Sequence, residues 1–145
     1  MTLVERVNLY ITQLCDSIGV SAEKVYHPTT NAWYFSNGTS TIEVFLSNQK
    51  SSDGQSETFI RCMAPLCQIP MDIMKQFAMF RTVLQINAKY MGFKITADEE
   101  RGIFCIVSER NISGMDYDEM VSMIDGLGHW ADKLDKFLVS EFAVK

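Results

Sequence analysis

The run over residues 70–107, PMDIMKQFAMFRTVLQINAKYMGFKITADEERGIFCIV, constrains the fold more than any other part of the chain. Apolar side chains recur at three and four residues up to Met91, and Gly92 then interrupts them. Two apolar strands follow, on either side of Asp98-Glu99-Glu100-Arg101-Gly102. The spacing predicts a helix over 70–91, about 33 Å long at 1.5 Å per residue. A hairpin over 93–98 and 102–109 comes next. Pro70 is tolerated at the first helical position, where its missing donor has no partner to lose. This helix carries two apolar stripes. Ile73, Phe77, Phe80, Leu84, Ala88 and Met91 form one; Met79, Val83, Ile86 and Tyr90 form another, turned by roughly a quarter circle or more. A helix lying on a sheet uses a single stripe of about 100°. The surplus must therefore meet another helix of the chain or another molecule.

The rest of the chain arranges itself around that unit. A helix is expected over 3–18, opened by a Thr2–Glu5 capping box and closed by Gly19, with Leu3, Val7, Tyr10, Leu14 and Ile18 as its inward line. Residues 21–32 are polar, broken by Pro28, and read as loop. Strands over 32–36 and 39–47 flank Asn37-Gly38, a strong hairpin signal because both residues tolerate positive φ. The polar run 48–56 reads as a connecting loop and a candidate contact loop. A strand over 57–64 ends at Pro65. The last helix runs from Asp116 to about Phe142, with Asp116 and Glu119 as a second capping box and Met115 stapled to Met120. Its main line is Tyr117, Met120, Ile124, Leu127, Ala131, Leu134 and Leu138, beside a seven-spaced line of Met123, Trp130 and Phe137. Gly126 and Gly128 lower helix propensity there by about 1 kcal/mol each relative to alanine, and permit a close approach or a bend. With no internal repeat, residues 1–145 form one α+β domain, α-β-β-β-α-β-β-α, with an antiparallel sheet packed by helices.

Charge and chemistry narrow the function by exclusion. A hydrophobic content of 47% beside 21% charged residues is that of a chain that buries a core. The net charge of −5 disfavours nucleic acid and anionic membranes as partners. The first residues lack a basic region followed by an apolar core, so no signal peptide is expected, and no apolar run reaches the length of a membrane span. Cys15, Cys62, Cys67 and Cys105 lie in apolar segments without CxxC spacing and read as buried thiols of a cytoplasmic protein. His27 and His129 have no second histidine at ligand spacing, and Asp116–Glu119 lacks the glycine and closing glutamate of a calcium loop. No GxGxxG, phosphate loop or GxSxG occurs. These residues point to no catalytic centre, cofactor or metal, and the chain reads as a non-enzyme.

What stands out is apolar surface. The second stripe of the central helix (Met79, Val83, Ile86, Tyr90) is one candidate for protein binding or dimer contact. Phe104 and Ile106, on a strand apolar on both parities, are another, and Met123, Trp130 and Phe137 on the last helix a third. Nine methionines add adaptable surface or fill core gaps. The order of elements, with Leu84-Gln85-Ile86-Asn87 before Tyr90-Met91-Gly92-Phe93, the strand 102–107, and Ile124, Trp130-Ala131-Asp132 and Leu134-Asp135 at the end, resembles the YbjN-like proteins of the type III secretion chaperone-like superfamily. The likeness spans nearly the whole chain. It implies a small acidic homodimer that binds extended segments of an unidentified protein partner, as a chaperone or regulator. The alternatives are a small-molecule binder or enzyme with a pocket between sheet and helices, and a structural subunit covered by a different protein.

Overall fold

Local chemistry sets most of the element ends. Thr2 Oγ1 accepts from the Glu5 amide at 3.1 Å and the Thr2 amide donates to the Glu5 carboxylate at 2.7 Å, so α1 (Leu3–Ile18) opens with the reciprocal cap. It closes at Gly19, in the left-handed region at φ 76°. Its inward line is Val7, Ile11, Leu14 and Cys15, whereas Leu3 and Ile18 are exposed. The segment expected as loop contains a turn of helix, α2 (Ala22–Val25), and a two-residue strand, β1 (Tyr26–His27). Then come β2 (Ala32–Asn37), β3 (Ser40–Lys50), β4 (Ser56–Gln68), α3 (Ile73–Lys89), β5 (Lys94–Asp98), β6 (Ile103–Asn111) and α4 (Tyr117–Phe142). This computed structural model describes residues 1–145.

The six strands form one antiparallel sheet in the order β1-β2-β3-β4-β6-β5. The α+β class and the element order expected from sequence are both found, with α2 and β1 added. Several boundaries differ, those of β2, β3 and β4 among them. The β2–β3 turn is Gly38-Thr39, because Asn37 stays extended and pairs with Ser40 while Gly38 alone takes positive φ. Most of the polar run 48–56 is strand: Asn48, Gln49 and Lys50 pair with Thr58, Glu57 and Ser56, leaving a turn at 51–55. Backbone pairing continues there after the apolar alternation has stopped. Strand β4 also passes Pro65, which sits opposite Cys105 where the register shifts. A bulge tolerates a residue without an amide donor.

Helix α4 crosses β4, β3 and β6, with α1 beside it, and α3 lies along β5. Beneath α4 the rows Trp33–Val44–Cys62–Ser108 and Ala64–Ile106–Ile95 carry the core across the sheet. Ser108, the one buried polar side chain, donates to the Gly92 carbonyl at 2.9 Å. Asp116 accepts from the Glu119 amide at 2.8 Å, but the Glu119 carboxylate turns to Arg110, so the second capping box is only half formed. Met115 and Met120 are both buried at that helix start.

Candidate protein-binding surface

Helix α3 is narrower than its sequence pattern. Asp72 caps it by accepting from the Lys75 amide at 2.8 Å, so the helix begins at Ile73 and leaves Pro70 outside. Its roll about its own axis is set by Asn87. The Asn87 side-chain amide donates to the Ile95 carbonyl at 3.1 Å and accepts from the Ile95 amide at 2.8 Å. Strand β5 is an edge strand, and this two-bond contact satisfies backbone groups that no further strand pairs.

With Asn87 on β5, the stripe of Met79, Val83 and Ile86 turns inward and is buried. This corrects the reading of those three residues as surface: they fill the protein's own core. Phe104 and Ile106 are fully buried as well and offer nothing to a partner. Tyr90, Met123 and Trp130 are half-buried, and Phe137 is exposed.

The uncovered side of α3 is the other stripe. Ile73 is 78% exposed, Phe77 65% and Leu84 68%, with Met74 beside them; Met91, which the expected stripe included, lies past the end of the helix, and Met71 lies before its start. At about 100° per residue, this stripe lies roughly a third of a turn from the buried one. Phe80 sits at the border, packed edge-on against Phe104 at 5.3 Å. An apolar run of this kind along one helix is unusual on a chain that works alone. The helix also carries Lys75, Arg81 and Lys89 with no acidic residue, on a chain whose net charge is −5. Glu99, from the β5–β6 turn, lines a small cleft with Met71, Gln76 and Phe80 at the N-terminal end of α3.

At the other end of α3 an aromatic group forms around Trp130, with Tyr90 at 4.9 Å and Phe93 at 5.1 Å between ring centroids. Lys133 lies over the Trp130 ring and Lys89 over Tyr90. From Trp130 an open groove of about 660 Å³ runs along α4 towards its N-terminus. One wall is Met91–Phe93 and Ser108–Arg110; the other is Asp116, Asp118, Glu119, Ser122, Met123 and Gly126. On the sheet nearby, Glu109 accepts from Lys94 at 2.6 Å and faces Arg61 at 2.8 Å. Those cations, the Lys94 hydrogen bond first, hold its carboxyl below the ordinary range.

Burial pushes the thiols the other way, Cys62 up to about 12 and Cys67 up to about 11, the latter helped by Asp135. All four cysteines are free and buried, hence poor nucleophiles. No three His, Cys, Asp or Glu side chains converge as metal ligands, and no helix is long and apolar enough to cross a membrane.

No family model matches the chain, and no curated protein matches it in sequence. Solved structures do match. A chain in the crystal structure of the ExsC–ExsE complex aligns with a TM-score of 0.65 and 13% identity over 95% of this chain and 97% of its own. The Yersinia pestis type III secretion chaperone SycH, in complex with a stable fragment of YscM2, aligns at 0.60 and 11% over 88% and 98%. The HopA1–SchA chaperone–effector complex gives 0.60 and 12% over 90% and 96%. At these identities the likeness establishes the fold, which is that of the type III secretion chaperones.

Proposed function

We propose that this chain is a non-enzymatic, cytoplasmic protein-binding module of the chaperone type, which pairs with a second copy through α3 and holds segments of another protein. The observation that carries this reading is the exposed apolar face of α3, Ile73, Phe77 and Leu84 with Met74 beside them. The area is too continuous to be scattered surface leucines, and a second copy of the same face is its simplest complement. The structural neighbours support the rest: they are secretion chaperones crystallised with partners or effectors. Four unpaired, buried thiols suit a reducing compartment. Within that fold we read the chain as YbjN-like, a reading that the segments Leu84–Asn87 and Tyr90–Phe93 support. A small-molecule site has less behind it, because the largest cavity is an open groove and not an enclosed chamber with converging polar groups.

Small-angle scattering tests the assembly. A compact monomer of this length has a radius of gyration of about 15 Å and a compact dimer about 19 Å. The wild type is expected at the larger value and Leu84→Glu or Phe77→Glu at the smaller, with unchanged circular dichroism. A wild-type value of the smaller size at high concentration would remove the dimer.

A further inference from the structure

Gly126 stands in the middle of α4, where glycine costs about 1 kcal/mol relative to alanine. Its near neighbour Gly128 has an evident reason, since a methyl group there would overlap the Asn37 side chain. At Gly126 a methyl group would meet nothing within 4 Å. The missing side chain serves no contact within the chain. It leaves a gap in the α4 wall of the Trp130 groove, beside Ser122.

The charges of that groove are arranged along its length. At one end, Glu109 is held by Arg61 and Lys94, and Glu119 is held by Arg110. Asp116 and Asp118 carry no ion pair, so this end presents net negative charge to whatever enters. At the other end the floor is aromatic, and Lys133 over Trp130 and Lys89 over Tyr90 disfavour a second cation. From Asp118 to Trp130 the helix rises about 18 Å, which matches about five residues of extended chain. The single gap at Gly126 admits a backbone closely at that point of the α4 wall.

We infer that this groove holds an extended segment of about five residues from a partner protein, with a lysine or arginine against Asp116 and Asp118 and a large apolar side chain against Trp130 and Phe93. The assignment rests on the reading of the chain as a protein-binding module and locates one segment of its partner.

Two-dimensional NMR of the ¹⁵N-labelled full chain tests it, using the indole N–H signals of Trp33 and Trp130, the only tryptophans. The probes are acetylated pentapeptide amides with arginine at one end and phenylalanine at the other, made in both directions. Controls carry glutamate in place of arginine. A saturable shift of the Trp130 signal, with Trp33 unmoved, is expected from at least one direction. Exchanging arginine for glutamate, or Asp118→Lys in the protein, is expected to weaken binding about tenfold or more. Gly126→Ala is expected to raise the melting temperature and yet weaken the peptide. A role in helix structure alone would raise the first and leave the second untouched. Absence of a Trp130 shift at millimolar peptide, or affinity indifferent to Asp118→Lys, would overturn the assignment. If the peptides fail while Leu84→Glu still converts dimer to monomer, the groove is misassigned and the module reading survives. If the wild type is also monomeric, that reading loses its carrying observation as well.

Discussion

Gly126 and Gly128 look alike in the sequence and have different surroundings in the fold. Gly128 lies under the β2–β3 hairpin, where the Asn37 side chain occupies the space a Cβ would take. Gly128→Ala is expected to destabilise by about 1–3 kcal/mol, the cost of overpacking a closed contact. Asn37→Gly in the same chain is expected to restore most of that, which urea melts of the single and double variants would measure. Sequence could identify both positions as costly to a helix but could not separate them, because the discriminating atom belongs to a residue on another element. Glu109 offers a second test at this scale. Its carboxyl sits below its ordinary value because Lys94 and Arg61 favour the charged form. A depressed folded value contributes stability that is present above the unfolded carboxylate range and lost as pH falls through the folded one. The side chain is 32% exposed, so the contribution is small, below about 1 kcal/mol. Glu109→Gln is expected to lower stability at pH 7 by that amount and to match the wild type near pH 2. Equal loss at both pH values would show packing, not charge, to be responsible.

At the scale of elements, the existence of α3 and of the β5–β6 hairpin was legible from apolar spacing alone, and so was the surplus of apolar surface. The direction of that surplus was not. Both stripes obey the same periodicity and both contain large side chains, so hydrophobicity gives no preference between them. The choice is made by Asn87, whose two hydrogen bonds to Ile95 fix the roll of the helix. Turned by about a third of a turn, the helix would lose both bonds and leave the edge groups of Ile95 unpaired. A polar residue thus decides which apolar stripe is core, and it does so through a strand that follows it in the chain. Adjacent residues should then respond oppositely to the same substitution. Val83→Glu buries a charge without a partner and is expected to cost at least about 3 kcal/mol or to abolish folding. Leu84→Glu places the charge on the exposed face and is expected to leave the melting temperature of the monomer within a few degrees. Thermal melts by circular dichroism, at a protein concentration too low for pairing, separate the two, and similar losses in both would show the Leu84 side of α3 to be covered within the chain itself.

At the scale of the whole molecule, charge is distributed unevenly, and the distribution sets an orientation for the proposed dimer. Helix α3 has Lys75 in its first turn, Arg81 near its middle and Lys89 at its C-terminal end, with no acidic residue along it; at the N-terminal end Asp72, Glu99 and Glu100 outweigh Lys75. Its N-terminal end lies beside Asp72 and the acidic turn that contains Glu99 and Glu100. Two α3 helices meeting in parallel would bring Lys89 against Lys89 and acidic turn against acidic turn. Packed antiparallel about a two-fold axis, the basic C-terminal end of each α3 would lie towards the partner's acidic turn, while Phe77 and Leu84 meet near the centre. Like charges across an interface cost up to several kcal/mol, and opposite ones steer and align it. Antiparallel pairing is therefore the expected form. Lys89→Glu is expected to weaken the dimer by about 1 kcal/mol or more, and Glu99→Lys to do the same, since each sets like charges opposite each other. The double variant restores the attraction with its signs exchanged and is expected to recover most of the wild-type affinity. Analytical ultracentrifugation of the four proteins at low and at high salt would measure this. The coupling between the two sites should shrink as salt rises, because the pairs lie at the rim. Additive losses in the double variant would eliminate the antiparallel arrangement even if the wild type is a dimer, and would point to a parallel pairing or to a different face.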